Sequence, residues 1–545
     1  MYIRQSVEIL HDRFYTVKSD ILGIFVITIL SWNFTYGLEQ VLDIKLYDES
    51  LYLWHGVTLG TKGLAARAPL YTIWYYLLSL LNPDRIELYY LNHKILNLLP
   101  ALLLYVFLRV QRVRVLVAVC AACLLVVSQG NLPTWPKVSH FALSILLGGL
   151  TIASLVTSPT LIFGILSLTA LVVSYVRPEY FLAFLIFAFI SCLITFRKKR
   201  TNPQYMSLFI VATIAVLLLV TLGLPMGRES GRSFLAFQQH FSLNWVQWTQ
   251  SDLNPWTNSG QIIHNCFGDS DSTIRCALNN PALMTKHVLS NLLSFPQKAI
   301  TFLLYPARHD VENFRYFKLL IVHMLLLIAL GILALGKFRL VTITSTWPLV
   351  STTVAAITII AVPPLLSSAL IYPRDHYLLL LVVPFFASFL ILVRDCNLQP
   401  KRGVILLILL FSALFLFQTP VRFKPPERMN IVRAIDFLDS LSVHQNVHLL
   451  EAEGGLNCYL SANWSRVAEY EKSESFIAFM KRRNINAVML TDRLMNDSRL
   501  RSDSEWLDFI SKPQDWGFDK IAVPGTPWQQ LLIQHELLSQ KERGE

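Results

Sequence analysis

Asp48 and Glu49 stand side by side in KLYDESLYLWHG, directly after the first long apolar stretch of the chain. A carboxylate costs roughly 2.5 to 3.5 kcal/mol at the centre of a membrane span, so an acidic pair at a span's exit calls for a polar role at the membrane surface. Paired carboxylates there can serve as a general base for a hydroxyl, as a second acid, or as part of a divalent-cation site. Each residue also has a purely structural use. Asp48 fits a helix N-cap that accepts from exposed backbone N–H groups, and Glu49 in the first turn complements the helix dipole. Tyr52 and His55 follow Asp48 at i+4 and i+7 and so share its face of a helix. Lys62 lies further along the same loop.

The elements that must position these residues are mostly membrane helices. The chain has 545 residues, of which 54% are hydrophobic and only 15% charged, and its separate apolar runs are long enough to cross about 30 Å of hydrocarbon. The expected fold is therefore a polytopic α-helical membrane protein. Candidate spans fall near 21–37, 87–108, 113–128, 138–155, 157–175, 178–196, 206–223, 317–336, 341–362, 376–394 and 403–419, about eleven in all. Basic clusters mark cytoplasmic loops: Arg109, Arg112 and Arg114; Arg197 to Arg200; Lys337 and Arg339; Arg394, Lys401 and Arg402. The alternating loops carry Lys137, Arg177 and Arg374 singly. This places the N-terminal segment 1–20 in the cytoplasm of a plasma or inner membrane, and the C-terminus outside. Residues 21–37 then act as an uncleaved signal anchor. The net charge of +11 follows these loop ends, so it speaks for topology and anionic lipid, and no nucleic-acid partner is expected.

Three outer regions exceed a turn: 38–86, 224–316, and a tail from 424. In the first, apolar residues recur at helical spacing from Glu49 to Leu59 and again from Pro69 to Leu81, which predicts two surface helices. In the second, Cys266 and Cys276 are candidates for a disulfide on the oxidising side, and Trp245, Trp248 and Trp256 suit a membrane interface. The tail starts after Pro420, Pro425 and Pro426. ERMNIVRAIDFLDSL, ESFIAFMKRR and DSEWLDFI have helical periodicity, while NVHLLEA, RVAEY, NAVMLTD, DKIAVP and QQLLIQH alternate as strands. A small α/β domain over 424–545 is expected, with Gly454-Gly455 as a strand-to-helix turn and Cys458 buried.

YDESLYLWHG followed by ARAPLYTIWYYLLSLL resembles the first outer loop of GT-C fold glycosyltransferases, especially protein O-mannosyltransferase and lipid A aminoarabinose transferase relatives. Those loops read Asp-Glu, an aromatic, then Pro-Pro-Leu-Tyr; here Ala68 replaces the first proline. VRPEYFLAF from Val176 is similar to an Arg-Pro-Glu-Gly segment of bacterial members. YPRDHYLLLLVVPFFA from Tyr372 is similar to their Arg-Tyr-Leu-Leu segment, with Asp375 and His376 inserted. The resemblance covers about 21–419 and implies a GT-C-like membrane domain over 21–423. It also implies transfer of a sugar from a polyprenyl-phosphate donor to a hydroxyl of an acceptor glycan, lipid or protein.

By the same resemblance Asp48 is the catalytic base, with Glu49 as acceptor ligand or second acid. The leaving phosphate needs cations, and an arginine fork bonds phosphate oxygens two at a time. Arg67, Arg177 and Arg374 are the candidates, with His376 and Tyr377 beside the last, although interfacial anchoring suits a lone arginine as well. Tyr52, His55 and Lys62 are candidates for a supporting shell. No cofactor is assigned beyond a divalent cation, which some GT-C enzymes use and others do not. The rival readings are an envelope polysaccharide polymerase or ligase, a transporter, and a non-catalytic envelope protein.

Overall fold

The computed structural model describes residues 2–40, 42–65, 67–131, 136–197, 202–225, 232–304, 321–328, 330, 343–392, 394, 430–441, 443, 445–467, 474–497, 499–526 and 529–538. The chain is mostly helical with a small C-terminal sheet. It forms two compact units: one takes residues 1–36, 65–71 and 93–421, and the other takes 37–64, 72–92 and 422–545. Most of the first outer loop thus belongs to the same unit as the tail.

In the first unit, α1 (Tyr2–Thr35) is followed by α5 (Arg85–Val110) from His93 onward, α6 (Val115–Val127), α7 (Val138–Ser154), α8 (Pro159–Ser174), α9 (Phe181–Arg197) and α10 (Asn202–Leu222). Because α1 starts at Tyr2, the expected cytoplasmic lead 1–20 is continuous with the first span. Pro159 opens α8, where the N–H it lacks would have had no helical partner. Then come α11 (Arg232–Thr249), α12 (Ser259–Phe267), α13 (Thr273–Asn279) and α14 (Pro281–Leu304), followed by α15 (Ile343–Leu370) and α16 (Asp375–Leu392).

Five helical stretches among the described residues are long and apolar enough to cross a membrane: Val17–Gln40, Arg85–Val110, Pro178–Phe196, Thr352–Leu370 and Asp375–Leu392. Helices α6, α7, α8 and the apolar part of α10 are shorter. The expected span at 403–419 lies outside the described residues, as does most of 317–336.

Helix α6 is buried along nearly its whole length, whereas Phe189 on α9 and Val220 on α10 are 67% and 76% exposed. Such apolar exteriors suit hydrocarbon as solvent. Helices α7 and α8 meet at a small residue: a Cβ on Gly149 would lie 2.2 Å from Thr169 Oγ1, a close approach of the kind membrane helices use. At one end, Asp20 accepts from Tyr105 at 2.6 Å and from Arg109 Nε at 2.6 Å. Lys137, expected as an outer-loop charge, is instead fully buried and donates to the Asn131 carbonyl at 2.6 Å. A lysine satisfied inside the fold carries no information about which side its loop faces.

The second unit holds α2 (Asp48–Val57), α3 (Leu59–Lys62) and most of α4 (Pro69–Ser79), close to the two helices expected of the first loop. Its sheet has the order β2-β1-β3-β5-β4. The strands are β1 (Val447–Leu450), β2 (Trp464–Val467), β3 (Ala487–Leu490), β4 (Phe518–Ala522) and β5 (Gln530–Gln534); four lie where alternation indicated, and β2 meets the expected RVAEY strand only at Arg466 and Val467, residues 468–470 lying outside the described residues. β1 pairs in parallel with β2 and β3; β5 pairs antiparallel with β3 and β4. The central β3 is buried at all four positions, as a strand covered on both faces should be. Phe476, Phe479, Trp506 and Phe509, from helices Phe476–Arg482 and Ser504–Ser511, pack with Val488, Leu490 and Leu532 into one core. Asp43 accepts from Ile431 and Val432 N–H at 3.0 and 3.2 Å, which satisfies the start of helix Asn430–Ser440 with a side chain distant in sequence.

Candidate functional site

The acidic pair is split by helix geometry. Successive residues of an α-helix point about 100° apart, so on α2 the face bearing Glu49, Leu53 and Gly56 is buried while Asp48 stays partly exposed. The buried face packs against α4 so tightly that a Cβ on Gly56 would lie 2.4 Å from Tyr75 Cβ. Glu49, wholly buried, accepts from Tyr75 OH at 2.5 Å and from Asn92 Nδ2 at 3.0 Å. Asn92 also reaches Tyr75 OH at 2.8 Å and accepts from Trp74 Nε1 at 2.8 Å. These charge-assisted bonds fix α2, α4 and the first turns of α5 in one arrangement.

Asp48 is not the N-cap expected of it. Tyr47 takes that position, at φ 70°, and no side chain caps the helix. Because the chain enters α2 from Tyr47, Asp48 becomes the first residue of the helical turn, where a carboxylate complements the dipole. Of its expected companions, Tyr52 is buried, His55 is half-buried, and Lys62 sits 4.0 Å over the Trp54 ring. Ser50, one turn in, pairs with Tyr459 OH at 3.0 Å. Burial pushes the Tyr459 phenol well above its ordinary value, so it stays protonated and able to donate.

The basic candidates lie in the other unit. Arg177 is paired with Glu179 at 2.8 Å and lies 4.9 Å over the Tyr377 ring. His376 and Tyr377 are in ring contact at 4.3 Å. Arg374 precedes α16, and its carbonyl accepts from Tyr377 and Leu378 N–H, so the backbone there is set by the helix start. Arg67 is half-buried in the turn ahead of α4. The structure thus gathers Arg177 with Tyr377 and His376.

Two further groups beside Arg374 escaped the sequence reading. Lys298 Nζ lies 3.8 Å over the Tyr372 ring, and the His240 ring lies 5.8 Å from the same tyrosine and 5.6 Å from Trp256. Trp256, assigned to the interface from its type, is therefore tied to this group. His240 is buried; its Nδ1 bonds the Ala236 carbonyl and its Nε2 has no hydrogen-bond partner among the described residues. Burial first, then the positive charge of Arg374 and the presence of His287 and Lys298, push its pKa down to about 4. Neither Arg374 nor Lys298 has a carboxylate partner among the described residues.

The turn that carries Tyr372 and Arg374 is anchored from α11 and α14. His287 Nε2 donates to the Leu370 and Ile371 carbonyls at 3.2 and 3.1 Å, its Nδ1 accepts from Asn244, and Asn291 donates to the Ala369 carbonyl. These are carbonyls at the end of α15 that the helix itself leaves unpaired. The sequence signal was the i, i+4 spacing of His287 and Asn291, which puts both on one face of a helix.

The expected Cys266–Cys276 disulfide is not formed; both are free thiols. They sit on different short helices, α12 and α13, and both contribute to the apolar cluster around Phe237, Phe241 and Phe267. Packing serves each sulfur where a bond would demand the narrow geometry of a disulfide. Among the described residues, no three His, Cys, Asp or Glu side chains are grouped so as to hold a metal ion.

Compared with known proteins, the chain matches no protein-family model and no curated protein sequence. Its own geometry and the first-loop motif therefore carry the functional reading.

Proposed function

We propose that this protein is a polytopic membrane glycosyltransferase of the GT-C type. It moves a sugar from a polyprenyl-phosphate donor to an acceptor hydroxyl on the exoplasmic face, with about eleven spans, a cytoplasmic N-terminus and an exoplasmic tail. The observation that carries the reading is the division of labour in the acidic pair: Glu49 is buried and bonded, while its neighbour Asp48 is left partly exposed at the start of a rigidly held helix. A base needs access to its proton, and it needs a frame that does not move.

In the proposed reaction the acceptor oxygen attacks the anomeric carbon. The bond from that carbon to the phosphate oxygen breaks, and polyprenyl phosphate leaves with the bonding electron pair. Asp48 takes the acceptor proton. The motif resemblance and the half-buried cations Arg374 and Lys298 support a cationic role toward the phosphate, since donors without carboxylate partners among the described residues are suited to an anion. Glu179 already offsets the charge of Arg177, which leaves Arg374 as the stronger candidate.

The test is transfer of radiolabelled sugar from polyprenyl-phosphate mannose and from polyprenyl-phosphate glucose in proteoliposomes. Asp48→Asn is expected to abolish turnover with normal insertion, and Arg374→Ala to raise the donor KM. Full turnover by Asp48→Asn would remove the base assignment; an unchanged donor KM would return Arg374 to interfacial anchoring.

A further inference from the structure

In open α/β sheets, ligands settle beyond the carboxyl ends of the parallel strands, where neighbouring strands connect in opposite directions. In the second unit that place lies between the segment after β1, residues 451–459, and the segment after β3, residues 491–493. It is filled by a side chain of the chain's own first loop. Tyr47 OH donates to the Ala452 carbonyl at 2.9 Å, and the Arg493 guanidinium lies 4.9 Å from the centre of the Tyr47 ring. The Tyr47 backbone N–H donates to the Gly454 carbonyl at 2.8 Å.

The fit depends on two glycines. Gly454 and Gly455 have φ of 83° and 136°, and a Cβ on Gly454 would stand 2.3 Å from Tyr47 Cε1. Their N–H groups donate to the two carboxylate oxygens of Glu451, at 2.5 and 2.8 Å. Glu451 is itself buried and paired with Arg466 at 2.9 Å. Tyr47 meanwhile holds φ 70° and ψ −121°, a left-handed backbone that a bulky residue adopts only when its surroundings impose it. The chain of restraint runs from Glu451 through the glycine pair to Tyr47. Tyr47 then sets the direction in which Asp48 and Glu49 enter α2.

We propose that the C-terminal α/β layer is the positioning element of the acidic pair: its ligand crevice takes the chain's own Tyr47, with Tyr47 and Gly454 as positioning residues for Asp48. This rests on the reading of Asp48 as the base. It gives the tail a role in turnover without a ligand of its own.

Gly454→Ala strikes this contact. Gly517→Ala is its control, because Gly517 also has a positive φ, 76°, in the same layer, while a Cβ there would meet nothing within 4 Å, the Tyr47 ring included. With full-length protein in proteoliposomes and polyprenyl-phosphate mannose and glucose as probes, Gly454→Ala is expected to lower kcat roughly 10- to 100-fold with donor KM unchanged, as a misplaced catalytic group does. Gly517→Ala is expected to keep kcat. Hydrogen exchange of the amides of 48–57 should quicken in Gly454→Ala and not in Gly517→Ala. Should Gly454→Ala fail to fold, Tyr47→Phe, which loses only the Ala452 bond, is expected to show a smaller kcat loss in the same direction. Equal loss in Gly454→Ala and Gly517→Ala, or normal kcat in Tyr47→Phe and Gly454→Ala beside an inactive Asp48→Asn, would overturn this inference alone. An active Asp48→Asn would overturn the base reading and this one with it.

Discussion

Tyr75 donates its hydroxyl to Glu49 Oε1 at 2.5 Å, and Asn92 bonds both partners. This relationship separates two residues that are adjacent in sequence and alike in chemistry: one carboxylate is wholly buried and holds three helices, and the other stays partly exposed.

Glu49→Gln keeps an oxygen for Tyr75, so it is expected to lower turnover less than about tenfold, against near-complete loss for Asp48→Asn. Tyr75→Phe removes a hydrogen bond to a buried carboxylate and should cost about 1.5 to 3 kcal/mol. Thermal unfolding in detergent and sugar transfer, measured on the same preparations, check both. Equal inactivation by Glu49→Gln and Asp48→Asn would make Glu49 a member of the reacting group.

Acid is expected to weaken the first unit through His240 and His287. Burial pushes each down to about 4 from an ordinary 6.5. The unfolded chain binds these protons near pH 6.5 and the folded chain binds them only near 4, so their contribution is complete above 6.5 and is lost as pH falls toward 4. Each shift is worth about 3 kcal/mol. The melting temperature should fall over that window in the parent and fall less in a His240→Gln, His287→Gln double variant; parallel curves would remove these histidines as the cause.

Cys266 and Cys276 should both be recovered as thiols by mass spectrometry under non-reducing conditions. In the native protein a maleimide is expected to reach half-exposed Cys266 before buried Cys276. Burial raises both thiols, so labelling should be slow at neutral pH. A mass two hydrogens lighter for the linked peptide pair would restore the disulfide.

Much of the architecture was written in one-dimensional pattern. Apolar runs placed α5 to α10, α15 and α16, though not α11 to α14 in the long outer region, and alternation found four tail strands and the end of β2, because hydrophobic periodicity is a local property that survives folding. The first-loop helices were legible for the same reason, down to Pro69 at the start of α4. The Asp-Glu motif and its candidacy for chemistry also came from the sequence alone.

Other assignments depended on partners distant in the chain. Tyr75 and Asn92 claim Glu49, and Lys298 and His240 come to Tyr372, two residues before Arg374. Tyr47 displaced Asp48 from the cap because Gly454, some four hundred residues on, accepts its backbone N–H. Residue type and spacing fix what a side chain is able to do and which helical face it shares. Whether it is then buried, paired or exposed depends on contacts that only the closed chain makes, and for Asp48 and Glu49 that difference decided their separate roles.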